Sequence, residues 1–228
     1  MDDGKKKRVD KLYRFGTGSL PGEEPEVMWL HADGLKEYMV KRPVGPLPHP
    51  DGLVSPQGSG YPADWHSCPM VHMTAGEGVE ASAPLPVPDL QDGGGVYDWI
   101  VSDRGKAFFE EIDPEAFAFS PIKVLIGKSL VAYEGPPYWR CDVVRFLDAI
   151  DYDKTEHKTE VFPNGIKRIS PSLWDRNYFK RSVIGDCHIF RLPYRPDAIW
   201  CDAYFRDGAL AKGLSIGFQK QWGEVVDE

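Results

Sequence analysis

No apolar run in this chain reaches the roughly 18 residues that a membrane-spanning helix needs. A basic cluster, Lys5-Lys6-Lys7-Arg8, stands near the start, but no apolar stretch follows it as a secretory leader would require. Cysteine is scarce. Cys68, Cys141, Cys187 and Cys201 are scattered through 228 residues without close pairing, which suits reduced, packed thiols better than a disulfide framework. Positive charge is also in deficit: 27 Lys and Arg against 35 Asp and Glu leave a formal charge of −8. That balance repels nucleic acid and anionic membranes as main partners and suits a basic protein partner. The nucleotide-binding signatures GxxxxGK[ST] and GxGxxG before a helix are missing, as are CxxC and HExxH. These features give a cytoplasmic, soluble protein as the expectation.

Aromatic residues are plentiful, with 7 Trp, 10 Tyr and 11 Phe, so a substantial core is expected. The chain divides into three stretches. Residues 1–42 open with a strand, Lys11 to Phe15, ended by Gly16 and Gly18; a second strand and a short helix near Leu35–Val40 follow. Residues 43–95 hold ten of the twenty prolines and nine glycines. Proline removes a backbone donor and glycine loses the most entropy on ordering, so this stretch is expected to be an irregular arm packed on the core, ending in a Gly93-Gly94-Gly95 hinge. Residues 96–228 carry the regular elements. Val96–Val101 reads as a strand, Ser102 as the cap of a helix from Asp103 to Ile112, and Ala116–Leu125 as the next strand. The pattern recurs in Ala198–Cys201, the cap Asp202, a helix from Ala203 to Lys212, Gly213 at the left-handed C′ position, and Leu214–Gln219. Whether the two units are a duplication the sequence leaves open. Asn164-Gly165 marks a hairpin turn between Lys158–Phe162 and Ile166–Ile169. His188–Leu192 is a further strand, and Tyr138–Asp151 fits both a strand and a helical face. The expected class is α+β: a mixed β-sheet with a few flanking helices and a long Pro/Gly-rich irregular arm, compact overall.

Few residues suggest chemistry. His66, Cys68 and His72 could ligate zinc, but they sit in Pro-rich sequence with no second ligand pair, and packing is the better reading. Cys187 and His188 are neighbours on a strand, where adjacent side chains point to opposite faces and cannot meet. No cofactor is expected. Asp148, Asp151, Tyr152, Asp153 and Glu156 form an acidic, aromatic-flanked cluster with three readings: a catalytic carboxylate pair, for which nothing fixes a metal or substrate, a solvated edge, or a partner-facing patch.

The order of several short motifs resembles the eleventh immunity-protein family of bacterial polymorphic toxin systems. They are Asp98-Trp99-Ile100-Val101-Ser102-Asp103-Arg104, Ile112-Asp113-Pro114, Pro121-Ile122-Lys123-Val124, Tyr138-Trp139-Arg140-Cys141-Asp142-Val143-Val144 and Leu147-Asp148-Ala149-Ile150-Asp151. His188-Ile189-Phe190-Arg191-Leu192, Ile199-Trp200-Cys201-Asp202 and Gly213-Leu214-Ser215-Ile216-Gly217-Phe218 match its C-terminal half. The resemblance covers about residues 96–220, and many members carry Ser where Thr155 stands. It implies a non-enzymatic binder of a cognate toxin, encoded by the adjacent gene and secreted by an Rhs or type VI route. No catalytic residue carries over. Trp139, Val143, Phe190 and Phe218 are expected in the core. The partner-binding candidates are Asp148, Asp151, Tyr152, Asp153 and Glu156. Two alternatives remain open: an enzyme reversing the toxin's modification, and an interaction module unrelated to toxins. The oligomeric state is not legible.

Overall fold

The computed structural model describes residues 10–17, 27–29, 46–48, 54–56, 70–73, 88–92, 99–127, 129–163, 167–172, 176–193 and 195–227. Its elements in chain order are β1 (Lys11–Thr17), β2 (Val27–Trp29), β3 (Pro46–Pro48), β4 (Val54–Pro56), β5 (Met70–Met73), β6 (Leu90–Asp92), β7 (Trp99–Ser102), α1 (Asp103–Ile112), β8 (Phe117–Ile126), β9 (Val131–Ala132) and β10 (Tyr138–Val143). Then come β11 (His157–Val161), β12 (Lys167–Pro171), β13 (Asn177–Lys180), α2 (Arg181–Ile184), β14 (Ile189–Leu192), β15 (Arg195–Asp202), α3 (Ala203–Ala211) and β16 (Ile216–Val226). The fold is mostly β-sheet with a few short helices, which agrees with the α+β expectation.

Two sheets carry the architecture. One has five strands in the order β13-β16-β1-β15-β14; the other has seven, running β2-β5-β8-β10-β7-β6 with β9 beside β8. Both are wired alike. In the five-stranded sheet β1 lies antiparallel between β15 and β16, the two strands that flank α3 in sequence. In the larger sheet β10 lies antiparallel between β7 and β8, which flank α1. Outside these, β13 runs parallel to β16 as β5 does to β8, and β14 pairs with β15 as β6 does with β7. Each half is thus a strand–helix–strand unit split by an inserted strand. The difference lies in the source of that strand: β10 follows its unit, whereas β1 comes from the other end of the chain.

Side chains repeat along with the wiring. Ser102 accepts from the Gly105 N–H at 3.1 Å to cap α1, and Asp202 accepts from the Phe205 N–H at 2.8 Å to cap α3. The cap residues donate the same backbone bond to the preceding hairpin: Ser102 N–H to Asp89 O and Asp202 N–H to His188 O, both at 3.0 Å. One turn into each helix a cation covers an aromatic ring of the inserted strand. Lys106 Nζ sits 4.7 Å from the Trp139 ring centre, and Arg206 Cζ 3.8 Å from that of Tyr13. The helices meet where Gly208 faces Phe108; a Cβ on Gly208 would lie 3.1 Å from that ring, so glycine allows the close crossing.

Between the sheets and helices lies one core, including Phe15, Phe108, Phe109, Phe117, Cys141, Val143, Ile199 and Phe205. Phe15 is its hub, with Trp99, Phe109 and Phe205 at centroid distances of 4.9, 6.0 and 5.5 Å in edge-on contact. A second core covers the opposite face of the five-stranded sheet and contains Leu12, Ile150, Phe179, Phe190 and Trp200. Its lid is the segment leaving β10, which touches the sheet through bridges Phe146–Arg191 and Ile150–Phe179.

Several expectations hold. Both capped helices, the C′ glycine at φ 62° and the β11–β12 hairpin stand where the sequence placed them. Tyr138–Asp151 resolves into a strand as far as Val143 and an irregular lid beyond it. The irregular arm is not confirmed: among the described residues of 43–95, β5 and β6 are built into the seven-stranded sheet. Val71 and Leu90 are both fully buried there, and apolar burial outweighs the surrounding prolines. The proline-bounded β3 and β4 pair as a separate ribbon. Val143 and Phe190 are core as expected, whereas Trp139 and Phe218 lie at the rim, partly buried against it. The expected helix near Leu35–Val40 and the triple-glycine hinge fall outside the described residues.

Candidate partner-binding surface

The acidic cluster occupies the end of the lid over the second core. Ile150 and Ala149 are buried beneath it, so the chain must turn sharply at Asp151 to leave the sheet. Asp151 makes that turn. Its N–H donates to Tyr178 O at 2.8 Å, its carbonyl accepts from Lys154 and Thr155, and its Oδ1 accepts from the Asp153 N–H at 3.1 Å. Lys154 Nζ lies 3.0 Å from its Oδ2. Desolvation opposes ionisation of this carboxyl, but the Lys154 ammonium and the turn's N–H groups outweigh it and hold the pKa below the ordinary range. Thr155 Oγ1 accepts from Tyr178 N–H at 2.9 Å and donates to Tyr178 O at 3.3 Å, locking the turn to β13. A serine hydroxyl can make the same two bonds, so the threonine is compatible with the family pattern.

The five candidate residues therefore separate. Asp151 is buried and faces its own turn, while Asp153 and Glu156 are exposed. Asp148 and Tyr152 are half-buried, with the Tyr152 hydroxyl donating to Asp148 Oδ1 at 2.9 Å. Tyr152 also meets the His157 ring edge-on at 5.4 Å, joining the turn to the base of the β11–β12 hairpin. The outcome is a braced acidic turn with two exposed acidic residues.

A second polar cluster escaped notice as a unit in the sequence. His188 Nδ1 lies 2.8 Å from Asp202 Oδ2, and its N–H donates to Asp113 Oδ2 at 3.1 Å. Arg145 pairs with the same Asp113 carboxylate. The legible signal was the hairpin register, which sets residue 188 beside the helix cap at 202. Cys187 adjoins this cluster, but burial, reinforced by the Asp113 carboxylate, pushes its thiol pKa up against the opposing pull of Arg145. Such a thiol is poorly suited to act as a nucleophile at neutral pH. Among the described residues no group of His, Cys, Asp and Glu could hold a metal ion; His66 and Cys68 of the zinc candidate lie outside them. No helix among them is long and apolar enough to cross a membrane.

His188 gives a pH prediction. Its hydrogen bond to Asp202 raises the imidazole pKa above the ordinary 6.5, against the effect of burial. A raised folded-state pKa stabilises the fold fully below the unfolded value, and the benefit fades as pH rises through the folded value. Melting temperature should therefore decline from about pH 6 to pH 8 in the native protein. In His188→Gln that component of the slope should vanish; identical slopes in the two proteins would refute the assignment.

A further ionic pair is wholly internal. Arg191 Nη2 of β14 stands 2.8 Å from Asp142 Oδ1 of β10, with both side chains essentially inaccessible. It joins the two sheets, and its lack of exposure removes it from any direct partner contact.

No curated protein matches the chain. The model of the Imm11 immunity protein family matches residues 30–221, which takes in both capped helices, the lid with its acidic turn and most of the two sheets. The chain belongs to the Imm11 immunity protein family.

Proposed function

We propose that this protein neutralises a cognate toxin by stoichiometric binding that occludes the toxin's active site. In this reading the toxin is encoded by the adjacent gene, follows an Rhs or type VI secretion route, and is met in the cytoplasm. Family membership over residues 30–221 is the observation that carries it. The braced turn supports a place for contact, because a loop already held in shape loses little entropy on binding. Asp153 and Glu156 offer exposed carboxylates, Asp148 and Tyr152 a half-buried base, and Asp151 holds the turn from inside. The net charge of −8 favours fast encounter with a basic toxin. Neutralisation at cellular concentrations calls for nanomolar affinity, about −12 kcal/mol.

Co-expression with the toxin of the neighbouring gene tests the reading. Growth should be rescued at equimolar immunity protein, and a one-to-one pair of chains should co-elute on gel filtration. The double variant Asp153→Lys/Glu156→Lys should slow association about tenfold at low salt, with less effect at high salt. Rescue far below equimolar amounts would instead favour an enzyme that reverses the toxin's modification. No complex and no rescue would end the binding reading.

A further inference from the structure

We propose that β11 is a docking edge for a second copy of this chain, joining two β11–β12 ribbons into a four-stranded antiparallel sheet across a two-fold axis. The ribbon is a two-stranded sheet of its own, and β11 pairs with no other strand among the described residues. All five residues of β11 are exposed, and no strand among the described residues pairs with its second edge. Val161 at its end and Phe162 just beyond it are 64% and 41% exposed, more apolar surface than a ribbon end needs for solubility. The base is fixed. His157 packs on Tyr152 with its Nδ1 2.9 Å from Thr155 O, and the Ser172 N–H donates to Glu156 O at 2.9 Å.

The sequence of the strand selects the occupant. It reads His157-Lys158-Thr159-Glu160-Val161, with Lys158 and Glu160 on the same face. Two such strands running antiparallel about Thr159 set Lys158 of each copy directly opposite Glu160 of the other, and His157 opposite Val161. Three competing registers set like charges opposite one another. A parallel, in-register pair opposes lysine to lysine and glutamate to glutamate, and so does an antiparallel pair centred on residue 158 or 160, at its centre. A charged edge ordinarily keeps other strands away; this pattern instead complements its own two-fold mate about Thr159. The interaction is isologous, so it closes at two copies and does not propagate.

One edge strand per copy makes a small interface, so a weak dimer is expected, with a dissociation constant on the order of 10–100 μM. Sedimentation velocity on the full chain without toxin, from about 1 to 500 μM, reads it independently of the toxin reading. Lys158→Glu places glutamates opposite one another at both pairs and should weaken association roughly tenfold or more. Lys158→Glu/Glu160→Lys reverses both charges, restores the pairing and should return the dissociation constant to near its native value. Both positions are exposed and outside the two cores, so circular dichroism and melting temperature should remain native. A native chain that stays monomeric throughout the range would overturn the proposal. So would Lys158→Glu associating like the native protein, or a charge reversal that fails to restore association.

Discussion

A chain begun at residue 18 should not fold. It should be recovered as aggregate, or as a species with β-rich circular dichroism but no cooperative melting, because its first seventeen residues include the middle strand of the five-stranded sheet. β1 contributes ladder bonds on both edges, to β15 and to β16. Without it those strands stand about 9–10 Å apart with facing N–H and C=O groups and nothing between them. The same strand sends one side chain into each core: Phe15 into the central one and Leu12, fully buried, into the second. Truncating such side chains costs about 2–5 kcal/mol apiece, and a domain of this kind has about 5–15 kcal/mol in all. Losing both, along with two ladders, exceeds that margin. A synthetic peptide spanning residues 1–17, added during refolding, should restore the cooperative transition. Phe15→Ala in the intact chain should lower stability by about 3–5 kcal/mol while leaving it folded at low temperature. A truncated chain that melts cooperatively near the native temperature would show that β1 is dispensable.

Asp142→Ala is the point substitution expected to do most damage away from the aromatic core. It strips Arg191 of the carboxylate 2.8 Å from its guanidinium in a site closed to bulk solvent. Breaking a buried ion pair from one side costs about 3–5 kcal/mol, because the remaining charge keeps its desolvation penalty. For a chain of this length that corresponds to a fall in Tm of roughly 6–20 °C. Removing both charges should hurt less. Asp142→Leu/Arg191→Met replaces the pair with apolar side chains and should recover most of the loss, which a double-mutant cycle by chemical denaturation would show. A loss below about 1 kcal/mol in Asp142→Ala would mean that the pair does not hold the sheets together. Because Asp142 is inaccessible, any defect in toxin binding by the variant should track its unfolded fraction.

How far the sequence reached depended on the range of the interaction involved. Ser102 and Asp202 announced their helices because a cap acts over three residues, and Gly213 announced an ending because a positive φ is a property of one residue. The β11–β12 hairpin followed from a turn dipeptide between two polar strands. In the proline-rich stretch composition pointed to irregular chain and gave no sign of the strands that its described residues form. Val71 and Leu90 gain more from burial than the local preference opposes, and only their sheet neighbours reveal that. The acidic cluster was found by composition, yet composition treated its members alike. Asp151 differs from Asp153 because Tyr178, 27 residues after it in sequence, supplies the carbonyl that draws the turn inward.

The sequence by itself determined the family, the two capped strand–helix–strand units and the acidic balance, all of which rest on local spacing or on totals. The tertiary structure alone decided that these units are wired alike, with β10 inserted in one and the distant β1 in the other. It also decided that Asp142 finds Arg191, that His188 finds Asp202, and that β11 pairs with β12 alone among the described residues. Strand pairing is the reason. Hydrogen bonds between strands join residues without regard to their separation along the chain, so the partner of a strand is set by which closed arrangement buries the aromatic faces on both sides.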